Sequence, residues 1–397
     1  MSSSSLRGGR VADRCLQAFR GGAAACAVAL SVWMASFPAA AHGIGDTLAS
    51  LMAEHDTVGL AVVVVRDNAV VYRDSLGWKD LEARTPLEQD DVFRIASISK
   101  SFVATSILQL VEQGRLSLDD DAGALLGFAV RNPRFPDAAV TLRMLLNHTS
   151  SITDSQRYHS LDIINPATNG SWADSYSAHA PGTHYQYSNL GYNMLGAVVE
   201  RASGQRFDRY VREHVLEPLG LDGGHLPDAL DPDRIAQIYR HQDGAGFVRS
   251  EAAYARLGDR LDDYRPGYSA AVFSPTGGLK ISAPDLARYM LMHMNLGEWD
   301  GVRILSREHA ALMQSPSVEI DADADYGLAL RIDRALIPGV TLVGHTGSAY
   351  GLYSSMFFDP VRKYGFVVIT NGTRDPEVRT AVNRALYSHF IESAEGG

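Results

Sequence analysis

Between Gly59 and Arg66 the chain reads Gly-Leu-Ala-Val-Val-Val-Val-Arg, a β-branched run with the propensity of a strand. Asp67-Asn68 supplies a turn and Ala69 to Asp74 returns, so the segment predicts a hairpin. Gly77 and Pro86 are expected to break the chain after that hairpin. From Ser97 to Gln113 the period becomes helical. Val103, Ile107, Leu110 and Val111 recur at helical spacing, Phe102, Ala104 and Leu108 fill the other faces, and Gly114 stands where a helix would stop. That pattern predicts a helix buried nearly all round. Thr141 to Asn147 reads as a short helix capped by Thr141.

Ser155 to Thr183 has no period and reads as a long loop. A helix is expected from the end of the Tyr185–Tyr192 stretch to about Ala202, closed by Gly204, and another from about Phe207 to Val215. Leu221 to Phe273 is weakly patterned. Ala283 to Asn295 is helical with Pro284 in its first turn. Val340 to Val343, Leu352 to Phe358 and Tyr364 to Thr370 read as strands, and Glu377 to Ile391 as a last helix. Strands thus gather at both ends. The order predicts an α/β (α+β) fold, with an antiparallel sheet built from N- and C-terminal strands and flanked by helices. Residues 42–115 and 270–397 would form that discontinuous domain, residues 116–269 a mainly helical insertion, with a cleft between them.

Composition adds an address. Arg7, Arg10, Arg14 and Arg20 precede an apolar stretch from Gly21 to Phe37 and the small-residue run Pro38-Ala39-Ala40-Ala41. This is the pattern of a cleaved export signal over residues 1–41, so a periplasmic or extracellular protein is expected. No later stretch is apolar enough to span a bilayer. Both cysteines, Cys15 and Cys26, fall in that leader, so the remaining chain would have no disulfide and no thiolate chemistry. The net charge of −10 and the lack of a basic block argue against nucleic-acid binding. No histidine cluster has ligand spacing, and no metal or cofactor is expected. Of 36 basic side chains only four are lysines: Lys79, Lys100, Lys280 and Lys363. The last two and Lys79 read as solvated, as does the acidic run Asp321 to Asp325.

Lys100 is the exception, because Ser97 stands three residues before it. Residues so spaced share a helix face. A serine needs a base to become a nucleophile, and a lysine serves if burial lowers its pKa. Alone, a Ser-x-x-Lys is weak. Two further motifs strengthen it: Tyr187-Ser188-Asn189 ahead of a helix, and His345-Thr346-Gly347-Ser348 between strands.

In that order the three motifs resemble those of the penicillin-recognising serine hydrolases. The branch with Tyr-x-Asn is the similar one: class C β-lactamases, His-Thr-Gly type D-alanyl-D-alanine carboxypeptidases, D-aminopeptidases and related esterases. Leu145 to Ser150, Pro181-Gly182, Pro218-Leu219-Gly220 and Thr276-Gly277-Gly278-Leu279 match further landmarks, and the likeness covers about Thr57 to Ile391. It implies a β-lactamase/transpeptidase-like fold and a secreted hydrolase working through an acyl-enzyme. By resemblance Ser97 is the nucleophile, Lys100 its base and Tyr187 the proton relay. Asn189 would hold Lys100 and the substrate amide. The backbone N–H groups of Ser97 and Ser348 would form the oxyanion hole, and His345, Thr346 and Gly347 the opposite wall. The implied partner is a small-molecule or peptide substrate, such as a D-amino-acid peptide, an ester or a lactam. A dedicated β-lactamase or a slowly deacylating penicillin receptor is the alternative. His345 stands where class C β-lactamases carry lysine, which favours a peptidase or esterase. A neutral imidazole is a weaker anchor for a carboxylate, and lowering the pH to protonate His345 is expected to change affinity for carboxylate-bearing substrates more than for neutral esters.

Overall fold

The computed structural model describes residues 41–393, without the side chains of Ala41, His42 and Asp259. The expected export signal lies outside the described residues, apart from Ala41. Helix α1 (Ala41–Glu54) leads into strand β1 (Thr57–Arg66), which turns back at Asp67-Asn68 into β2 (Ala69–Asp80). The hairpin predicted from turn chemistry is therefore present. However, β2 runs straight through Gly77, which pairs with Gly59. A Cβ at Gly77 would lie 2.2 Å from the Val58 carbonyl oxygen, and the residue has φ of +82°. Glycine here permits a close strand approach and does not end the strand.

The main sheet has nine strands. The remaining members are β3 (Thr85–Pro86), β6 (Val318–Asp321), β7 (Ala324–Tyr326), β8 (Arg331–Asp333), β9 (Leu342–Ala349), β10 (Leu352–Asp359) and β11 (Tyr364–Thr373). Their order is β6-β7-β8-β9-β10-β11-β1-β2-β3, and every pairing is antiparallel. The N-terminal hairpin docks on the C-terminal strand, so the two ends of the chain close one sheet. The acidic run Asp321 to Asp325, expected to be solvated, is the tip of the β6–β7 hairpin.

Alternation along β1 divides two cores. Leu60, Val62 and Val64 face α1 and the C-terminal helix α6 (Val378–Tyr387). Ala61, Val63 and Val65 face the opposite core, which contains α2 (Ser99–Glu112) and α5 (Ala283–Met294). Because both faces are covered, the strand reads as an unbroken apolar run. A small separate sheet pairs β4 (Val92–Arg94) with β5 (Lys280–Ser282). It ties the entry to α2 to the Thr276-Gly277-Gly278 turn. The middle of the chain contributes α3 (Leu142–Leu146), α4 (Asn189–Ser203), short helical turns and a hairpin of Tyr239–Gln242 with Gly246–Arg249. Among the described residues no helix is long and apolar enough to cross a membrane.

Candidate active site

Strand β4 ends at Arg94, and Ile95 donates its N–H to the Leu279 carbonyl at 3.0 Å. Ala96 then takes φ of +49°, an unusual value for a residue with a side chain. This kink starts the single turn Ala96–Ile98 that presents Ser97 at the mouth of α2. Beyond it every residue from Ser99 to Leu110 is buried. Phe102 stacks on Tyr289 of α5 with ring centroids 3.7 Å apart. The helix is anchored by apolar packing on all sides, so its first turn holds Ser97 and Lys100 in fixed relation.

The Lys100 amine is fully buried. Its Nζ lies 3.1 Å from Ser97 Oγ, 2.8 Å from Asn189 Oδ1 and 2.9 Å from the Thr276 carbonyl oxygen. The last two partners can only accept. Nζ donates to all three as an ammonium; once neutral, it would keep two N–H groups for the oxygens and turn its lone pair to the Ser97 hydroxyl. Burial pushes the Lys100 pKa well below its ordinary range, against an opposing pull from the Asp154 charge. The Tyr187 ring sits 4.8 Å from Lys100 Nζ, and its phenol is hydrogen-bonded to Ser97. Burial raises the phenol's pKa, with the Ser97 contact opposing. Lysine is driven toward the neutral base and tyrosine toward the neutral acid, a separation typical of an acid–base pair.

Asn189 opens α4, with Ser188 as its cap: Gly191 N–H donates to Ser188 Oγ at 3.2 Å. Asp154, the residue just ahead of the long loop, lies across this helix end. Its carboxylate accepts from the backbone N–H groups of Asn189 (2.9 Å) and Leu190 (3.0 Å) and from Asn189 Nδ2 (2.8 Å). A carboxylate suits the positive end of a helix. It also fixes the amide: Nδ2 must face Asp154, so Oδ1 must face Lys100. Thr276 Oγ1 donates to the same Oδ1 at 2.6 Å. Asp154 and Thr276 were not expected as site residues. Thr276 sits in the Thr-Gly-Gly landmark, whereas nothing in the spacing of Asp154 points to Asn189, 35 residues away.

The opposite wall is β9. Residues 345 to 348 lie inside this strand and do not follow one ending at Val343, as expected. On one side β9 is paired with β10 throughout; on the other, β8 pairs only as far as Gly344. His345 to Ser348 therefore form a locally free edge beside Ser97. Gly347 makes the approach possible. A Cβ there would be 2.3 Å from the Ile95 carbonyl oxygen and 2.3 Å from Ser354 Oγ. Ser348 and Ser97 line one cavity of about 470 Å³. Thr346 is half-buried on the wall.

The expectation for His345 needs correction. Its Nδ1 donates to the Thr346 carbonyl at 2.5 Å, and Nε2 accepts from the Tyr326 hydroxyl at 3.0 Å. Both ring nitrogens are occupied, and burial lowers its pKa to about 3. It is a neutral brace for the strand, with no charge to offer a carboxylate near pH 7. His148 is likewise buried, 4.3 Å from the Tyr187 ring, and its Nδ1 accepts from the Ser188 N–H. The lysines also differ from expectation. Lys280 is buried, and Lys79 forms an ion pair with buried Asp91 at 2.9 Å.

Comparison with known proteins matches this geometry to relatives. A family profile described as Beta-lactamase matches residues 44–389. Penicillin-binding protein 4 of Amycolatopsis lactamdurans is 30% identical over 338 residues, covering 81% of this chain and 83% of that protein. Esterase EstB of Burkholderia gladioli is 33% identical over 246 residues, covering 56% and 59%. Among solved structures, the octameric penicillin-binding protein homologue from Pyrococcus abyssi superposes with a TM-score of 0.72 at 26% identity, covering 89% of this chain and 77% of that one.

Proposed function

The chain belongs to the Beta-lactamase family, and we propose that it hydrolyses an ester or amide through an acyl-enzyme on Ser97. The observation that carries this reading is the Lys100 amine. It is buried among two obligate acceptors and one hydroxyl, and so poised as a neutral base.

In the first half-reaction Ser97 Oγ attacks the substrate carbonyl carbon while its proton passes to Lys100 Nζ. The carbonyl oxygen becomes an oxyanion, facing the backbone N–H groups of Ser97 and Ser348. The C–O or C–N bond then breaks. Tyr187 gives its proton to the departing oxygen or nitrogen and is reprotonated from Lys100. In the second half-reaction water attacks the Ser97 ester. Its proton moves through Tyr187 and Lys100 to Ser97 Oγ, which leaves, and the acid is released. Asn189 keeps Lys100 in place throughout. Gly347 admits the strand, and His345 and Thr346 form its wall.

A panel of p-nitrophenyl esters, a chromogenic cephalosporin, D-Ala-D-Ala peptides and D-amino-acid amides tests the reading. Turnover of at least one class should disappear in Ser97→Ala. Undiminished turnover by that variant sinks the proposal. Export is part of the same reading: protein recovered outside the cytoplasm should begin at His42, and an intact leader there would contradict it.

A further inference from the structure

The cavity lined by Ser97 and Ser348 is also lined by the small sheet, and that part of its wall has a distinctive charge. Arg94 on β4 stands directly opposite Lys280 on β5 in the antiparallel register. Like charges so placed repel. Both side chains line the cavity. Lys280 is buried, and its Nζ donates to the His225 carbonyl at 2.7 Å. Arg94 donates to the carbonyls of Gly277 at 2.8 Å and Ala253 at 3.1 Å and to Ser274 Oγ at 3.3 Å, with its guanidinium 5.0 Å from the Tyr350 ring. Every one of these partners is neutral.

Buried cations are ordinarily matched with carboxylates, because desolvation is costly. Here the matching group is missing from the wall. Among the described residues that line the cavity there is no Asp or Glu, although two exposed arginines, Arg240 and Arg260, stand at its rim. The Asp228 charge acts on Lys280, but Asp228 is not part of the lining, and its carboxylate accepts from the Leu257 N–H at 3.1 Å. Beneath Lys280, both ring nitrogens of buried His225 are without a hydrogen-bond partner. The whole chain has a net charge of −10, so an acid-free, cation-lined cavity is a local exception.

We propose that this wall is a subsite for a carboxylate carried by the substrate, seated between Arg94 and Lys280 while Ser97 acts on a carbonyl in the same cavity. This rests on the acyl-enzyme reading above and narrows its substrate to esters or amides bearing a second, anionic group. The occupant offsets the repulsion between Arg94 and Lys280 and supplies the negative charge that their neutral partners do not. Burial and the Arg94 charge press Lys280 toward its neutral form; a carboxylate beside it favours the ammonium. The rim arginines draw such a substrate inward.

The test compares two p-nitrophenyl esters of equal chain length, the neutral hexanoate and the mono-ester of adipic acid, which ends in a carboxylate. The wild-type kcat/KM ratio, adipate over hexanoate, is expected to be at least ten. It should collapse toward one in Lys280→Met and fall in Arg240→Gln, whose site is exposed and carries no folding risk. Both esters are read on the same preparation, so any loss of folded enzyme cancels in the ratio. A wild-type ratio below ten, or one that survives both substitutions, overturns the subsite. If both esters are hydrolysed in a Ser97-dependent way with equal efficiency, only the subsite fails. If Ser97→Ala hydrolyses both as well as wild type, the acyl-enzyme reading fails with it.

Discussion

At the scale of single residues, the chemistry is decided by what surrounds the Lys100 amine. Two carbonyl oxygens accept from its N–H groups and Ser97 Oγ is its third neighbour, so the neutral amine would have its lone pair left for Ser97. Asp154 controls this indirectly, because its carboxylate fixes which end of the Asn189 amide faces Lys100. Asp154→Asn keeps the shape and removes that control. We expect kcat to fall about tenfold to a hundredfold, the range seen when outer supports of a reactive group are removed. A second readout separates this from a structural effect. The Asp154 charge raises the Lys100 pKa, so its removal lowers that pKa. The acid limb of kcat/KM, where Lys100 becomes protonated and inactive, should then move to lower pH. An unmoved limb would count against the positioning role. His345 should add no inflection between pH 5 and 8, because its ring stays neutral down to about pH 3.

At the scale of elements, the site is a meeting of three: the first turn of α2, the capped start of α4 and the free edge of β9. The first two were legible because each motif lies beside a local pattern, a helical period after Ser97 and a helix expected after Tyr187-Ser188-Asn189, although the Ser188 cap was not read from the sequence. The role of Asp154 was not legible, since a loop without period leaves the partner of its carboxylate unspecified. Lys280 was misread for a similar reason. A three-residue strand carries too little alternation to reveal a buried lysine, and an unpaired lysine is ordinarily exposed. The edge of β9 depends on Gly347. Gly347→Ala forces a Cβ against the Ile95 carbonyl oxygen and Ser354 Oγ, both at 2.3 Å. Either the strand moves away from Ser97 or the Ala96 kink is displaced. We expect at least a hundredfold loss of kcat/KM, with a melting temperature lowered by several degrees. Wild-type activity in this variant would show that the wall is not tightly held.

At the scale of the whole molecule, the sheet closed by both chain ends was legible from the order of strands and helices. The division of β1 between two cores became visible only with its register. The interior has one collective property that no single motif announces: it holds several buried, neutral bases. His293 and His345 both have pKa values lowered to about 3 by burial, against 6.5 when exposed. A folded state with depressed pKa binds fewer protons than the unfolded chain below pH 6.5. The stabilisation is complete above that pH and is lost progressively as pH falls toward 3. By pH 5 each of the two should cost about 2 kcal/mol of stability. Urea unfolding at pH 7.5 and pH 5.0 checks this; equal midpoints would mean these histidines are not buried neutral in solution.

The central claim is that Ser97 alone carries the acyl chemistry. It is tested most directly by exposing the protein to a fluorophosphonate, which traps an activated serine irreversibly, and mapping the adduct by peptide mass spectrometry. The account predicts one stoichiometric adduct on Ser97, and none in a Ser97→Ala variant with an unchanged circular dichroism spectrum. An adduct on another residue, or equal labelling of the variant, would contradict it.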